Sequence, residues 1–238
     1  MASRLVSRLD VMRRRKRLPL EQLAPYLLEP PFPEPLDWRA VFGNEHPVEV
    51  EVGFGKGLFL LNSAIHHPEV NFFGIEIMRK YQLFTATRMA IRQLGNVRLA
   101  KADARHFMLV HIPPASVRAI HVYFPDPWWK KRHHKRRLFT DEFVVACVKA
   151  LQPDGDLHLA TDVSDYFALM TELCQVRREL VLVDRSVRGD RTDGEAEFLT
   201  NFERKARLRG SSVYRACYRR CGSPTGSAAS DGAAQSRL

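Results

Sequence analysis

The chain has 238 residues, 45% of them hydrophobic, enough for one large domain or two small ones around a substantial core. Lysine and arginine outnumber aspartate and glutamate to give a formal net charge of +10, which points to an acidic partner, either nucleic acid or an anionic membrane. No apolar run approaches the ~20 residues needed to span a bilayer, and the central basic stretch lacks an apolar helical face, so no membrane partner is expected.

The chain opens on Arg4, Arg8 and the packed run Arg13 to Arg17, against one acid, Asp10. No apolar core follows, so a secretory signal is not expected, and the run suits a nucleic-acid arm that orders on RNA. Pro19 to Pro35 is dense in proline and is expected to be a linker packed on the main domain. Residues 1–46 are therefore assigned to a basic arm and linker.

Alternating strand and helix signals begin at Pro47. Val48 to Val52 reads as a strand, Gly53-Phe54-Gly55-Lys56-Gly57 as a tight turn, and Leu58 to His66 as a helix. Glycines there let the backbone approach a ligand, and the helix amides face the same space. A second strand, Asn71 to Glu76, ends in a carboxylate about twenty residues after the glycines, the spacing of an acid that grips ribose hydroxyls. The order G-x-G-x-G departs from the dinucleotide pattern, and Glu51 precedes it, where a pyrophosphate would be repelled. S-adenosylmethionine, with a sulfonium, an ammonium and no phosphate, suits that carboxylate. The plain alternative for Glu51 is an exposed residue of an alternating strand.

Met78 to Leu94 has helical spacing and stops at Gly95-Asn96, and Val97 to Ala100 gives a third strand. Asp103 then stands either as a helix N-cap or as an adenine contact. The fourth strand, Val117 to Phe124, is stopped by Pro125 and Pro127, which cannot donate to a ladder, and so holds Asp126 at its carboxyl end. Trp128 and Trp129 offer flat surface for an unpaired base. Lys130, Lys131, Arg132, Lys135, Arg136 and Arg137, with His133 and His134, form a basic block without an acid. A solvated loop is the bland alternative for that block.

Phe139 to Leu151 reads as a helix, Gln152 to Gly155 as a turn, and Asp156 to Ala160 as a strand. Thr161-Asp162 either caps the next helix or meets a ligand at a strand end. Val181 to Val183 and Val213 to Tyr218 read as the last strands, with a polar loop from Ser186 to Glu197. From Gly222 the chain is small and polar, and a disordered tail over 222–238 is expected, leaving 47–221 as the main domain. Cys147, Cys174, Cys217 and Cys221 lack metal-ligand spacing, so no metal is expected, and reduced thiols favour a cytoplasmic protein. The alternation of elements argues for an α/β fold with a doubly wound, mostly parallel sheet.

The ordered set VEVEVGFGKG, GIEI, KADA, VYFPDPWWKKRHHKRR, LATDVSDY and TNFERK resembles the TrmB-type tRNA (guanine-N7)-methyltransferases across roughly Pro47 to Arg219. The specific part is PDPW followed by the KRHHKRR string. The resemblance implies a class I S-adenosylmethionine-dependent methyltransferase, Rossmann-like, with a final antiparallel strand, acting on tRNA at guanine 46 of the variable loop. It implies cofactor contacts at Glu51, Gly53, Gly55, Glu76, Asp103 and Asp126, with Asp126 also the catalytic carboxylate. Lys130, Asp162, Thr200, Asn201, Phe202 and Glu203 would border the substrate, and Arg132, His133, His134, Lys135, Arg136 and Arg137 would meet the RNA. Asn201 stands where many relatives carry a charge. A monomer or homodimer is expected. The remaining alternatives are a methyltransferase of another RNA and a non-catalytic RNA-binding protein on the same scaffold.

Overall fold

The structure, a computed structural model, describes residues 18–188 and 200–222. The basic run before Leu18, residues 189–197 of the expected loop, and the tail beyond Gly222 lie outside the described residues.

Eight strands form one sheet in the order β1-β4-β3-β2-β5-β6-β8-β7. They are β1 (Leu27–Leu28), β2 (Val48–Val52), β3 (Asn71–Glu76), β4 (Val97–Lys101), β5 (Val117–Tyr123), β6 (Leu151–Thr161), β7 (Leu180–Arg188) and β8 (Val213–Arg220). Every pairing is parallel except those of β8, which runs antiparallel between β6 and β7, as the resemblance implied. The strand order reverses between β2 and β5, and ligands of open α/β sheets bind beside such a reversal.

Helices cover both faces. On one, α2 (Trp38–Phe42), α5 (Ala104–Val110), α6 (Asp141–Ala150) and α7 (Ser164–Gln175) pack Phe42, Phe107, Phe143 and Phe167 against Val50, Ile120 and Leu157. On the other, α1 (Leu20–Leu23), α3 (Leu58–His66) and α4 (Arg79–Ile91) pack Leu23, Leu60 and Met89 against Phe72 and Leu99. A final helix, α8 (Asn201–Leu208), leads into β8. The proline-dense linker does pack on this body, and its two-residue β1 adds an edge to the sheet beside β4.

Some expected boundaries move for local reasons. The helix expected from Phe139 starts at Asp141, because Thr140 accepts a hydrogen bond from the Phe143 amide at 3.3 Å and caps it. The turn expected over Gln152 to Gly155 is absorbed into β6 as an irregularity, where the partner of Val117 is Leu151 and that of Ala119 is Asp156. Gly155 is required there, since a Cβ would lie 2.9 Å from the Gln152 carbonyl oxygen. Asp162 does not cap α7. The bond there is from the Val163 amide to the Thr161 hydroxyl, at 3.3 Å, and the Asp162 side chain is left exposed.

Candidate active site

The parallel strands bring their carboxyl ends to one edge. In sheet order from β4 to β6, that edge carries Asp103, Glu76, Glu51, Asp126 and Asp162, residues scattered along the chain. Five neighbouring strands thus deliver an acid each to the same rim.

The centre of the rim is the glycine turn after β2. Gly53, Gly55 and Gly57 all have positive φ, and the turn is closed by the Gly57 amide on the Phe54 carbonyl at 2.8 Å. Gly57 is the most constrained, with φ +60° and no room for a Cβ, which would overlap the Thr85 side chain. Glu76 buttresses the turn from the end of β3, its carboxylate accepting from the Gly55 amide at 3.0 Å and the Met78 amide at 2.9 Å.

Glu51 is not the exposed strand residue of the plain alternative. It is 4% exposed, and one carboxyl oxygen is buried with no hydrogen-bond partner. Burial, and then the neighbouring charge of Glu76, push its carboxyl up from 4.5 to about 8, against the opposing pull of the Leu60 amide at the start of α3. An orphaned buried acid beside a glycine turn is a site awaiting a cation or an N–H donor.

A cavity of about 110 Å³ opens there, lined by Glu51, Gly53, Gly55, Thr200 and Phe202 among the expected residues. The Thr200 hydroxyl caps α8 by accepting from the Glu203 amide at 3.0 Å, which sets the helix over the turn. The Phe202 ring then stacks on Phe124 at 6.2 Å and stands 3.7 Å from where a Gly55 Cβ would be. Glu203 is 1% exposed and ion-paired with Arg215, anchoring α8 to β8. Asp103 caps α5, accepting from the Arg105 amide at 2.9 Å. Neither Asp103, Asp126, Lys130 nor Asp162 lines the cavity, and the Asn201 side chain lies outside the described residues.

Asp126 sits on a strained turn. Phe124 and Trp128, on either side of it, have φ of 52° and 46°, a left-handed conformation that costs a non-glycine residue about 1–2 kcal/mol. Specific contacts hold it. The Phe124 amide donates to the Ala160 carbonyl at 2.7 Å, the Arg137 Nε donates to the Pro127 carbonyl at 2.8 Å, and the Arg137 guanidinium lies over the Tyr166 ring at 5.3 Å. The result is an exposed carboxylate projecting from a braced loop.

The basic block folds as a 3-10 turn over Lys131–Arg136, on the same edge. Its cations are not equivalent. Arg137 is half-buried and committed to the turn, whereas Lys130, Arg132, Lys135 and Arg136 are exposed. Trp128 is covered by the Arg136 guanidinium at 5.1 Å and by the edge of His133 at 5.7 Å, which leaves Trp129, 67% exposed, as the free aromatic face.

Sequence reasoning missed Tyr81, Tyr123 and Lys205, which also line the cavity. It also missed a buried hydrogen bond behind it, between Glu49 and His121, which joins residues of β2 and β5. A third grouping unites Asp156, His158 and Cys217, whose ligand atoms lie within 4.8 Å of one another across the β6 and β8 ladder. The Asp156 carboxylate there already holds Arg219 at 2.9 and 3.1 Å.

The strand order, the antiparallel β8 and the acid-lined glycine turn define a class I S-adenosylmethionine-dependent methyltransferase fold. Solved structures with this fold include the 16S rRNA methyltransferase KamB, at TM-score 0.58 and 15% identity, covering 78% of this chain and 93% of that one. Another is the 16S rRNA (adenine(1408)-N(1))-methyltransferase of Catenulisporales acidiphilia, at TM-score 0.55 and 17% identity, covering 80% and 94%. Residues 45–216 match the family model described as "Putative methyltransferase". The tRNA (guanine-N(7)-)-methyltransferase of Rhodopirellula baltica is 40% identical over 213 residues, 87% of this chain and 78% of that protein. The protein of the same name from Alkalilimnicola ehrlichii is 39% identical, over 82% of this chain and 81% of its own length. The chain belongs to the tRNA (guanine-N7)-methyltransferase family.

Proposed function

We infer that the protein transfers a methyl group from S-adenosylmethionine to N7 of guanine in tRNA, at guanine 46 of the variable loop. The observation that carries this reading is the shared rim: a cavity with a buried, unpartnered Glu51 oxygen lies on the same sheet edge as the Asp126 turn and the basic 3-10 turn. The family names support the tRNA and N7 parts, and the position rests on the resemblance of the motifs.

The residues present fit the cofactor. Glu51 offers an acceptor without a partner, and the glycine turn leaves backbone exposed to the cavity. Glu76 holds that turn in shape with a carboxylate at the end of β3. When bound, S-adenosylmethionine supplies an electrophilic methyl group on a sulfonium. Guanine N7 attacks through an in-plane lone pair and loses no proton, so no general base is needed. The protein aligns the reactants and accommodates positive charge as it moves onto the purine, and Asp126, exposed on its braced turn, takes that electrostatic role in this reading. Phe202 and Thr200 border the purine side of the cavity. Asp103 serves as a helix cap that keeps the α5 end of the rim in place, and Lys130 and Asp162 contact the nucleotide from the exposed edge.

Lys130, Arg132, Lys135 and Arg136, with His133 and His134 in the same turn, meet tRNA phosphates, while Arg137 shapes the turn that presents them. In this reading residues 47–221 form the methyltransferase domain and residues 1–46 the arm and linker. The test is nucleoside mass spectrometry of tRNA incubated with the protein and labelled cofactor, followed by mapping of the modified base. Label in 7-methylguanosine at position 46 is expected. Label in another nucleoside overturns the N7 assignment, and label in ribosomal RNA alone makes the protein a methyltransferase of a different RNA.

A further inference from the structure

Behind the cofactor cavity runs an unbroken chain of polar side chains that the reaction above does not use. The Arg118 guanidinium, on the surface side of β5, holds one oxygen of Glu49 through Nε at 3.0 Å and through a second nitrogen. The other Glu49 oxygen meets His121 Nε2 at 2.9 Å, and His121 Nδ1 meets the Tyr123 hydroxyl at 2.9 Å. Tyr123 lines the cavity beside Glu51. The ring of His121 is clamped between Phe59, at 4.5 Å, and a parallel-stacked His158, at 4.9 Å, so it cannot swing away.

Hydrogen-bond chemistry sets the direction of this chain. Burial raises the Glu49 carboxyl, but His121 and Arg118 override it and hold the group down at about 2, so it is a carboxylate and can only accept. His121 Nε2 must therefore carry the proton it shares with Glu49. At a pH where the His121 ring is neutral, Nδ1 is then an acceptor, and the Tyr123 hydroxyl spends its proton on it. What Tyr123 presents to the cavity is a lone pair. Glu51 lines the same space and carries a buried oxygen without a partner.

Two acceptors on one cavity, one of them an acid, are best completed by a cationic donor: the sulfonium of the cofactor has charge without N–H bonds, its adenine amino group and ribose hydroxyls donate without charge, and its α-ammonium has both. We propose that Arg118, Glu49 and His121 act as positioning residues that fix the Tyr123 hydroxyl as an acceptor for the α-ammonium group of S-adenosylmethionine, beside Glu51. The inference rests on the cofactor assignment and is independent of the RNA substrate.

The test is calorimetric titration of the full chain with S-adenosylmethionine, with S-adenosylhomocysteine, and with the S-adenosylhomocysteine analogue in which the α-amino group is replaced by hydrogen. Tyr123→Phe removes one hydroxyl and keeps the ring. It is expected to weaken both amine-bearing ligands equally, by roughly tenfold to a hundredfold, the usual worth of one hydrogen bond to a charged group, and to leave the deaminated analogue unaffected. His121→Leu should match Tyr123→Phe, the two should not add in the double variant, and His121→Gln, whose amide both donates and accepts, should recover most of the affinity. Unchanged affinity in Tyr123→Phe, or an equal loss with the deaminated ligand, overturns the proposal. The Tyr123→Phe titrations are decisive even if His121→Leu does not fold. Because no RNA is present, either failure leaves the methyl-acceptor assignment intact.

Discussion

Replacing Glu51 with glutamine tests whether a buried acid has been kept at the cavity at a cost to the fold. The carboxyl moves from 4.5 to about 8 on folding, and at about 1.36 kcal/mol per pH unit the ionised form costs on the order of 5 kcal/mol. The folded value lies above the unfolded one. Below pH 4.5 both states hold the proton and there is no penalty; between 4.5 and 8 only the folded state holds it, and stability falls as pH rises. Above 8 the penalty is complete. Glutamine never ionises, so Glu51→Gln should match the wild type near pH 4.5 and exceed it progressively towards pH 8.5. At about 2–4 °C per kcal/mol for a chain of this size, the ligand-free variant should melt roughly 10–20 °C higher at the alkaline end. The assay is thermal denaturation across that pH range without cofactor, beside titration with S-adenosylmethionine. Binding to the wild type at pH 7 should release close to one proton, detected by repeating calorimetry in buffers of different ionisation enthalpy, and the variant should bind weakly and release none. Parallel stability curves for the two proteins, or cofactor binding without proton release, would refute the assignment of Glu51 as a buried acid that ionises for the cofactor.

Gly57→Ala should destabilise by about 2 kcal/mol or more, because it combines a left-handed φ of +60° with an overlap on Thr85, and Thr85→Ala should restore part of the loss in urea denaturation. Asp126→Asn should keep the fold and RNA affinity and lower kcat on the order of a hundredfold; single-turnover rates near wild type would remove Asp126 from the chemistry. Arg136→Ala and Arg137→Ala should separate. The first should flatten the log-log salt dependence of tRNA binding by about one unit with the melting temperature unchanged, whereas the second, losing the bond to the Pro127 carbonyl, should lower the melting temperature. Identical behaviour of the two in filter binding and melting would show that the block is uniform.

What the sequence made legible was chiefly local. The glycine turn, the acid after β3 and the proline-stopped β5 each declare themselves within a few residues, and parallel strands then gather them on one edge without further instruction. Asp103 and Asp162 were ambiguous because a cap and a ligand contact use the same residue type at the same place. The structure makes the first a cap and leaves the second exposed. Glu203 could not be foreseen as a buried anchor, since its partner Arg215 lies beyond the helix, on the next strand. The same holds for the Glu49 pairing with His121, which depends on the register of β2 against β5, a property of two distant segments together. The basic block looked uniform because sequence gives charge without direction. Packing on Trp128 and Tyr166 is what distinguishes Arg136 and Arg137 from their neighbours.

The placement of β8 between β6 and β7 has a consequence for how the protein is made. As the chain leaves the ribosome, everything through β6 can assemble from earlier segments, but β7 finds no ladder of its own until Val213 to Arg220 has been synthesised. Until then β6 presents an open edge with unpaired amides and carbonyls, the kind of surface on which nascent chains pair wrongly. A chain cut after Gly210 is expected to keep this edge exposed, and rapid protease cleavage after β6 would show it; resistance equal to the full chain would argue against it. Since α8 is tied to β8 through Glu203 and Arg215, the wall of the cavity that carries Phe202 is also set last. The nascent chain thus has its glycine turn before it has the α8 wall of the cavity, and the cavity is complete only when the final strand slides into the gap.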